Sequence, residues 1–305
     1  MIRVGDAAEA YNAATANGAV GVLAPVTVTD RKTGKSATYS EIKQFGDVVL
    51  RWVSGDYTGP VLPNYEPVEV PAGSNNTCGL DRIDHIVSNV PNLFEAVDYI
   101  EAATGFHEFG EFTAADVGTV DSGLNSMVMA NNNEFVLLPI NEPTFGTPRK
   151  SQIQNFLEHN NGAGVQHIAV KTEDIFATMR QLKARTAFGG VDFMPQPGPE
   201  YYKKIPSRLG EDALTAAQIA ELEELGLLAD RDDLGILLQV FTKPICDRPT
   251  VFFEIIQRLG CDVDKDTGAK IEQSGGCGGF GKGNFSELFK SVENFEKETE
   301  FVVKA

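Results

Sequence analysis

Read for hydrophobic and polar positions, the chain opens with Ala7-Ala8-Glu9-Ala10-Tyr11-Asn12-Ala13-Ala14, a composition that favours a helix. Two apolar and β-branched runs follow at residues 21–28 and 47–53 and read as strands. Residues 54–80 are rich in Gly, Pro and Asn and read as a linker. The segment before it holds too few elements for a closed domain, so it is expected to be a cap or the tail of something larger.

Past the linker the pattern repeats at an offset of 82 residues. Ile83-Asp84-His85-Ile86-Val87 aligns with Val165-Gln166-His167-Ile168-Ala169, and the register holds without gaps through Phe94/Phe176, Ala102/Ala184, Thr104/Thr186 and Phe106/Phe188. Each copy reads strand then helix, with helices expected at residues 92–103 and 175–185. Strands are expected next at 126–129 and 134–138 in the first copy, and at 237–242 and 250–257 in the second. Each unit is read as β-α-β-β-β, and the fold class as α+β. An insertion, residues 206–234, interrupts the second copy; its Thr215 reads as the N-cap of a helix that ends at Gly226. The chain closes with a glycine-rich stretch and a helix carrying Phe285, Leu288, Phe289, Val292 and Phe295 at amphipathic spacing. The glycines are expected to leave that stretch mobile, so the helix reads as a lid.

The strand Thr250-Val251-Phe252-Phe253-Glu254-Ile255-Ile256-Gln257 carries one carboxylate among bulky apolar residues. Buried without a partner, Glu254 would lose its charge or destabilise the fold. Of the four histidines, His85 and His167 stand at equivalent places on the first strands of the two copies. Modules packed side by side bring them together. A lone strand histidine is ordinarily a core residue, but two at matching positions with a carboxylate on a third strand point to a metal. Two imidazoles and one carboxylate, without sulfur, suit Fe(II) better than a structural zinc and leave one octahedral face open.

Charge and composition narrow the partners. Lys+Arg 26 against Asp+Glu 43 gives a net charge of −17, which repels a phosphate backbone and makes nucleic acid an unexpected partner. No run approaches the ~18 apolar residues of a membrane span. Cys78, Cys246, Cys261 and Cys277 are widely spaced and suit a reducing compartment. A cytoplasmic protein is expected, or a plastid one if a transit peptide lies outside this chain. Gly276-Cys277-Gly278-Gly279-Phe280-Gly281-Lys282 fits the spacing of a phosphate-binding loop, but Gly283 stands where Ser or Thr is needed and a polar stretch precedes it. Nucleotide binding is not expected.

Longer motifs carry a specific resemblance: Ser122-Gly123-Leu124-Asn125-Ser126, Leu137-Leu138-Pro139-Ile140-Asn141-Glu142-Pro143, Lys150-Ser151-Gln152-Ile153-Gln154, Asp192-Phe193-Met194-Pro195, Gln239-Val240-Phe241-Thr242-Lys243-Pro244, Glu254-Ile255-Ile256-Gln257-Arg258, and residues 275–289. Over residues 81–295 the chain resembles the 4-hydroxyphenylpyruvate dioxygenase family, its plant and algal forms above all. The resemblance implies a vicinal-oxygen-chelate fold, with paired βαβββ modules at about 81–146 and 164–258 forming an open barrel around Fe(II). It implies that residues 1–70 are the remnant of an N-terminal domain of the same kind, 71–305 the catalytic domain, and about 285–300 the lid helix.

By motif matching, His85, His167 and Glu254 fall on the family's iron-binding positions. Gln166, Gln239, Ser126, Asn141 and Gln152 fall on its polar catalytic positions, and Phe241, Phe280, Asn284, Phe285 and Leu288 on its substrate-binding ones. The implied reaction converts 4-hydroxyphenylpyruvate and O2 to homogentisate and carbon dioxide, a step of tyrosine and phenylalanine catabolism, with the substrate's own 2-oxo acid supplying electrons. A homodimer is left open. Two alternatives stand beside this reading: an oxygenase resembling hydroxymandelate synthase, which oxidises the benzylic carbon of the same substrate, and an inactive paralogue or binding module. Pro139, Asn141 and Phe241 look like the ring-hydroxylating type, and the intact triad speaks against an inactive chain.

Overall fold

In a computed structural model of the chain, residues 1–68, 77–113, 123–263 and 269–298 are described. They group into two units, Met1–Asn76 with Phe94–His107, and Thr77–Leu93 with Glu108–Ala305. Among the described residues no helix is long and apolar enough to cross a membrane.

In the first unit Asp6 accepts hydrogen bonds from the backbone N–H of Ala8 and Glu9 and so starts helix α1 (Ala7–Ala16), as the alanine-rich stretch predicts. The flanking strands are β1 (Ile2–Arg3), β2 (Gly21–Thr29), β3 (Ser36–Phe45) and β4 (Val48–Gly55), in the order β1-β4-β3-β2 with β1 parallel to β4. Sequence patterning does not predict β3, because two of its buried positions, on opposite faces, are polar. They are buried because they are paired: Ser40 Oγ donates to Ala7 O at 2.7 Å, and Glu41 accepts from Arg51 Nε at 2.6 Å. Ala7 and Ala14 of α1 pack on Ile42, Leu50 and Trp52, and Tyr99 and Ala103 of helix α2 (Leu93–Thr104) join the same cluster.

The second unit holds a mixed eight-stranded sheet that curls into a half-barrel. Its first half comprises β5 (Leu80–Asn89), β6 (His107–Phe112), β7 (Leu124–Ala130) and β8 (Leu137–Pro143); helix α3 (Gln152–His159) follows. Its second half comprises β9 (Gly164–Thr172), β10 (Leu228–Arg231), β11 (Gly235–Phe241) and β12 (Phe252–Gly260), with helix α4 (Ile175–Thr186) after β9. The strand order is β10-β11-β12-β9-β5-β8-β7-β6. In each half the first strand lies parallel to the last, β5 to β8 and β9 to β12, and the halves join through the antiparallel pair β5–β9. The four-stranded sheet of the first unit has the same order. The predicted α+β, vicinal-oxygen-chelate architecture is therefore present, built from βαβββ modules.

Several boundaries differ from the sequence reading. The expected strand at 134–138 begins only at Leu137, because Glu134 sits in a turn with φ of 60°. Strand β10, like β6, was not predicted; it is four residues long and lies between the left-handed cap Gly226 and a turn. The insertion, expected at 206–234, begins earlier and ends before β10, forming α5 (Pro199–Lys203), α6 (Ile205–Leu209) and α7 (Ala216–Leu225). Thr215 and Gln218 close a reciprocal capping box at the start of α7, as the sequence suggests. Tyr202, Ile205, Leu209 and Leu222 pack with Ile175, Met179, Leu238 and Val240 in one core cluster. A short turn of 3-10 helix (Lys282–Asn284) leads into the terminal helix α8 (Phe285–Glu298). The expected residues 299–300 of that helix and the side chain of Phe289 lie outside the described residues.

Candidate metal centre and its pocket

Strands β12, β9 and β5 are neighbours, and they carry Glu254, His167 and His85 in that order. Glu254 and His85 are both in register with Ala169, from opposite sides, while His167 lies two residues earlier on Ala169's own face. Since side chains alternate between faces, all three ligand candidates point the same way. The methyl group of Ala169 leaves room for the longer side chains to converge. His85 Nε2 lies 3.1 Å and His167 Nε2 3.2 Å from Glu254 Oε2. All three residues are buried, and their ligand atoms lie within 4.8 Å of one another.

The outer nitrogen of each imidazole is held. His167 Nδ1 is 2.9 Å from Gln166 Oε1, and His85 Nδ1 is 2.8 Å from Asp84 Oδ1. Both contacts join neighbouring residues of a strand, but only at Asp84 and His85 are both partners buried. A register shift between Ile83 and His85 lets both turn inward. With Nδ1 donating outward, each Nε2 can turn a lone pair to an ion at the centre once it gives up the proton it shares with Glu254.

The charges follow the same arrangement. Burial pushes the Glu254 carboxyl up, but hydrogen bonds from His167 and His85 outweigh it and bring it to about 2. Burial pushes both imidazoles down; in His85 alone, the Asp84 and Glu254 carboxylates overcome this and raise it. Burial likewise pushes Asp84 up, and the Arg258 guanidinium beside it reverses the shift and holds it well below the usual carboxylate range. Two imidazole nitrogens and one carboxylate oxygen, buried and convergent, fit a divalent ion on three protein ligands with its remaining positions open to the cavity.

That cavity, about 630 Å3 when the solvent at its open mouth is counted, is lined by every site residue singled out from the sequence. Ser126 and Asn141 are register partners on β7 and β8, Gln166 and Gln239 come from β9 and β11, and Gln152 begins α3. Phe241 ends β11, while Phe280, Asn284, Phe285 and Leu288 come from the glycine-rich stretch and α8. Phe280 meets His85 edge-on at 5.3 Å between centroids, and Phe241 meets His167 at 5.9 Å. The sequence reading missed the apolar wall of Val87, Phe112, Leu124, Val128 and Ile153. For the four on strands, their inward alternation was the available signal; Ile153 is on helix α3. Gln239 Oε1 and Asn284 Nδ2 are buried without a partner, one acceptor and one donor at the cavity. The other end of the Asn284 amide is fixed: its Oδ1 accepts from Tyr201 OH at 2.7 Å and from Arg208 Nη2 at 3.2 Å.

The glycine-rich stretch corrects an expectation. Its glycines serve close approach: at Gly281, φ is +74° and an added Cβ would lie 2.5 Å from Gln239 Oε1, while at Gly278 it would lie 2.7 Å from the backbone of Ile236. The stretch is held down by Arg258, which donates to Cys277 O and Gly279 O, and by Gly283 N donating to Asp230 Oδ2 at 2.7 Å. Nothing in the cysteine spacing predicts a pair, yet Cys261 and Cys277 form a disulfide that ties the end of β12 to the same stretch. A reducing compartment is thus no longer favoured by the cysteines.

Comparison with known proteins sets this geometry among relatives. Residues 82–213 match the glyoxalase/bleomycin resistance protein/dioxygenase superfamily. The chain is 56% identical over 301 residues to 4-hydroxyphenylpyruvate dioxygenase of Daucus carota, covering 98% of this chain and 66% of that protein. It is 56% identical to the enzyme of that name from Hordeum vulgare, covering 98% and 67%, and 54% identical to that of Arabidopsis thaliana, covering 98% and 66%. The chain thus spans about two thirds of the length of these relatives. Among solved structures, a mutant 4-hydroxymandelate synthase from Streptomyces coelicolor superposes with a TM-score of 0.71 at 24% identity, over 97% of this chain and 76% of that one.

Proposed function

This chain belongs to the 4-hydroxyphenylpyruvate dioxygenase family, and on that premise we propose that it binds Fe(II) through His85, His167 and Glu254 and converts 4-hydroxyphenylpyruvate and O2 to homogentisate and carbon dioxide. The observation that carries the reading is the meeting of two Nε2 atoms and one carboxylate oxygen at the floor of a cavity walled by aromatic and amide side chains. Bound there, the ion supplies redox-active Lewis acidity toward a 2-oxo acid and dioxygen.

The chain's own groups bind, orient and enclose. Asp84 and Gln166 fix the ring planes of the two histidines, so the ligand face is formed before substrate arrives. Phe241, Phe280 and Phe285 offer aromatic surface to the substrate ring. Gln239 Oε1 accepts from the substrate's phenolic hydroxyl and Asn284 Nδ2 donates to a substrate oxygen, which satisfies both orphaned groups. Ser126, Asn141 and Gln152 complete the polar lining. Helix α8 covers the site through Phe285 and Leu288 and keeps water from the reacting centre. Catalysis then rests on positioning, with no side chain required as a dominant acid or base.

The test is anaerobic loading with Fe(II), oxygen uptake with the keto acid, and product identification by mass spectrometry. Homogentisate with one carbon dioxide per O2 is expected; hydroxymandelate would reassign the reaction, and no uptake by loaded protein would overturn it.

A further inference from the structure

Arg258 stands outside the cavity lining, yet it touches what holds the site together from both sides. It lies on β12, four residues after Glu254, with its side chain 1% exposed. Nε donates to Asp84 Oδ2 at 2.9 Å and Nη2 to Asp84 Oδ1 at 2.8 Å, a bidentate pair. The remaining arm, Nη1, donates to the carbonyls of Cys277 and Gly279. Its guanidinium lies over the Phe280 ring, with Cζ 5.5 Å from the centroid. Phe280 meets the His85 ring edge-on, and His85 returns to Asp84 through Nδ1. Four side chains therefore form a closed circuit, His85–Asp84–Arg258–Phe280.

We propose that Arg258 and Asp84 are positioning residues that couple ion binding at His85 to the seating of the 277–281 stretch over the cavity. The physical ground is the rigidity of the guanidinium fork. Its donors are fixed in one plane, so a rotation of Asp84 that follows the His85 ring must tilt the arm that holds the two loop carbonyls. Both charges are withdrawn from water, so neither can exchange its partner for solvent. The carbonyls of Cys277 and Gly279 flank the residues that place Phe280 against His85, so the loop is read at the point where it meets the site. A lysine at 258 keeps the charge but has no second arm.

The proposal rests on the metal reading of the triad. Its test is an anaerobic titration of the full chain with Fe(II) or Co(II), paired with hydrogen exchange of the 277–281 amides with and without ion. In the wild type, ion binding is expected to slow exchange in this segment. Asp84→Asn and Arg258→Gln are expected to weaken ion affinity by roughly 10–100-fold and to abolish the ion-dependent slowing. Arg258→Lys is expected to recover part of the affinity while its loop exchange stays indifferent to the ion. If Arg258→Gln does not fold, the wild-type exchange and Asp84→Asn decide the matter. Wild-type loop exchange unaffected by ion, or variants that keep both affinity and slowing, overturn the coupling. A wild-type chain that binds no divalent ion overturns the metal reading and the coupling together.

Discussion

At the scale of single residues, the site is made of side chains whose partners decide what they can do. Glu254 is the anionic member of the triad. Glu254→Gln keeps the shape but removes that charge, and it is expected to cost more ion affinity than the roughly 10–100-fold typical for losing an outer partner. Calorimetric or spectroscopic ion titration reads the difference, and a variant with wild-type affinity would remove Glu254 from the ligand set. Tyr201 acts one step out: its hydroxyl donates to Asn284 Oδ1 and accepts from Ala229 N at 2.8 Å. Tyr201→Phe leaves a buried N–H unsatisfied, expected to lower unfolding stability by about 1–3 kcal/mol. Because Asn284 loses its orientation, KM for the keto acid should rise while ion affinity stays put; steady-state kinetics beside an ion titration separate the two. The triad was legible in the sequence because the repeat aligned His85 with His167 and a carboxylate in an apolar run needed a partner. Asp84 and Arg258 were not, since an aspartate beside a strand histidine signals nothing until a bulge turns both inward.

At the scale of elements, boundaries were readable where chemistry is local and hidden where it is tertiary. Helix α7 declared itself by Thr215 and Gly226, residues that satisfy its ends without help from elsewhere. Thr215→Ala is expected to destabilise the chain by about 1 kcal/mol, measurable by denaturant melts. Strand β3 hid because Ser40 and Glu41 find partners only in the folded chain. The glycine-rich stretch misled for a related reason: glycine signals freedom in sequence, whereas here it permits contact with Gln239 and Ile236. Its disulfide closes a separation of 16 residues, so Cys277→Ser is expected to cost up to about 3 kcal/mol on a chain-entropy account. A thermal melt with and without reductant checks this; a wild type insensitive to reductant would refute it.

At the scale of the whole molecule, one strand order, with first beside last, occurs three times. The sequence revealed two of these modules through their shared offset, and the third stayed unread because no such offset was found to tie it to them. An ion that binds only the assembled triad should stabilise the fold by mass action, about 2.7 kcal/mol at a hundred times its Kd. Melting with Fe(II) or Co(II) under nitrogen should therefore raise Tm in the wild type and leave Glu254→Gln nearly unmoved. Equal shifts in both would place the ion elsewhere.

The antiparallel seam between β5 and β9 has one more consequence. It divides the triad unequally, giving His85 to one module and His167 with Glu254 to the other, so neither half owns a complete centre. A slip of one residue along the seam would turn His167 or His85 to the opposite face. Ion uptake is thus a checksum on strand pairing: a chain that has folded to the right shape with the wrong alignment reads as empty, and refolding trials can be scored by colour with cobalt before any substrate is added.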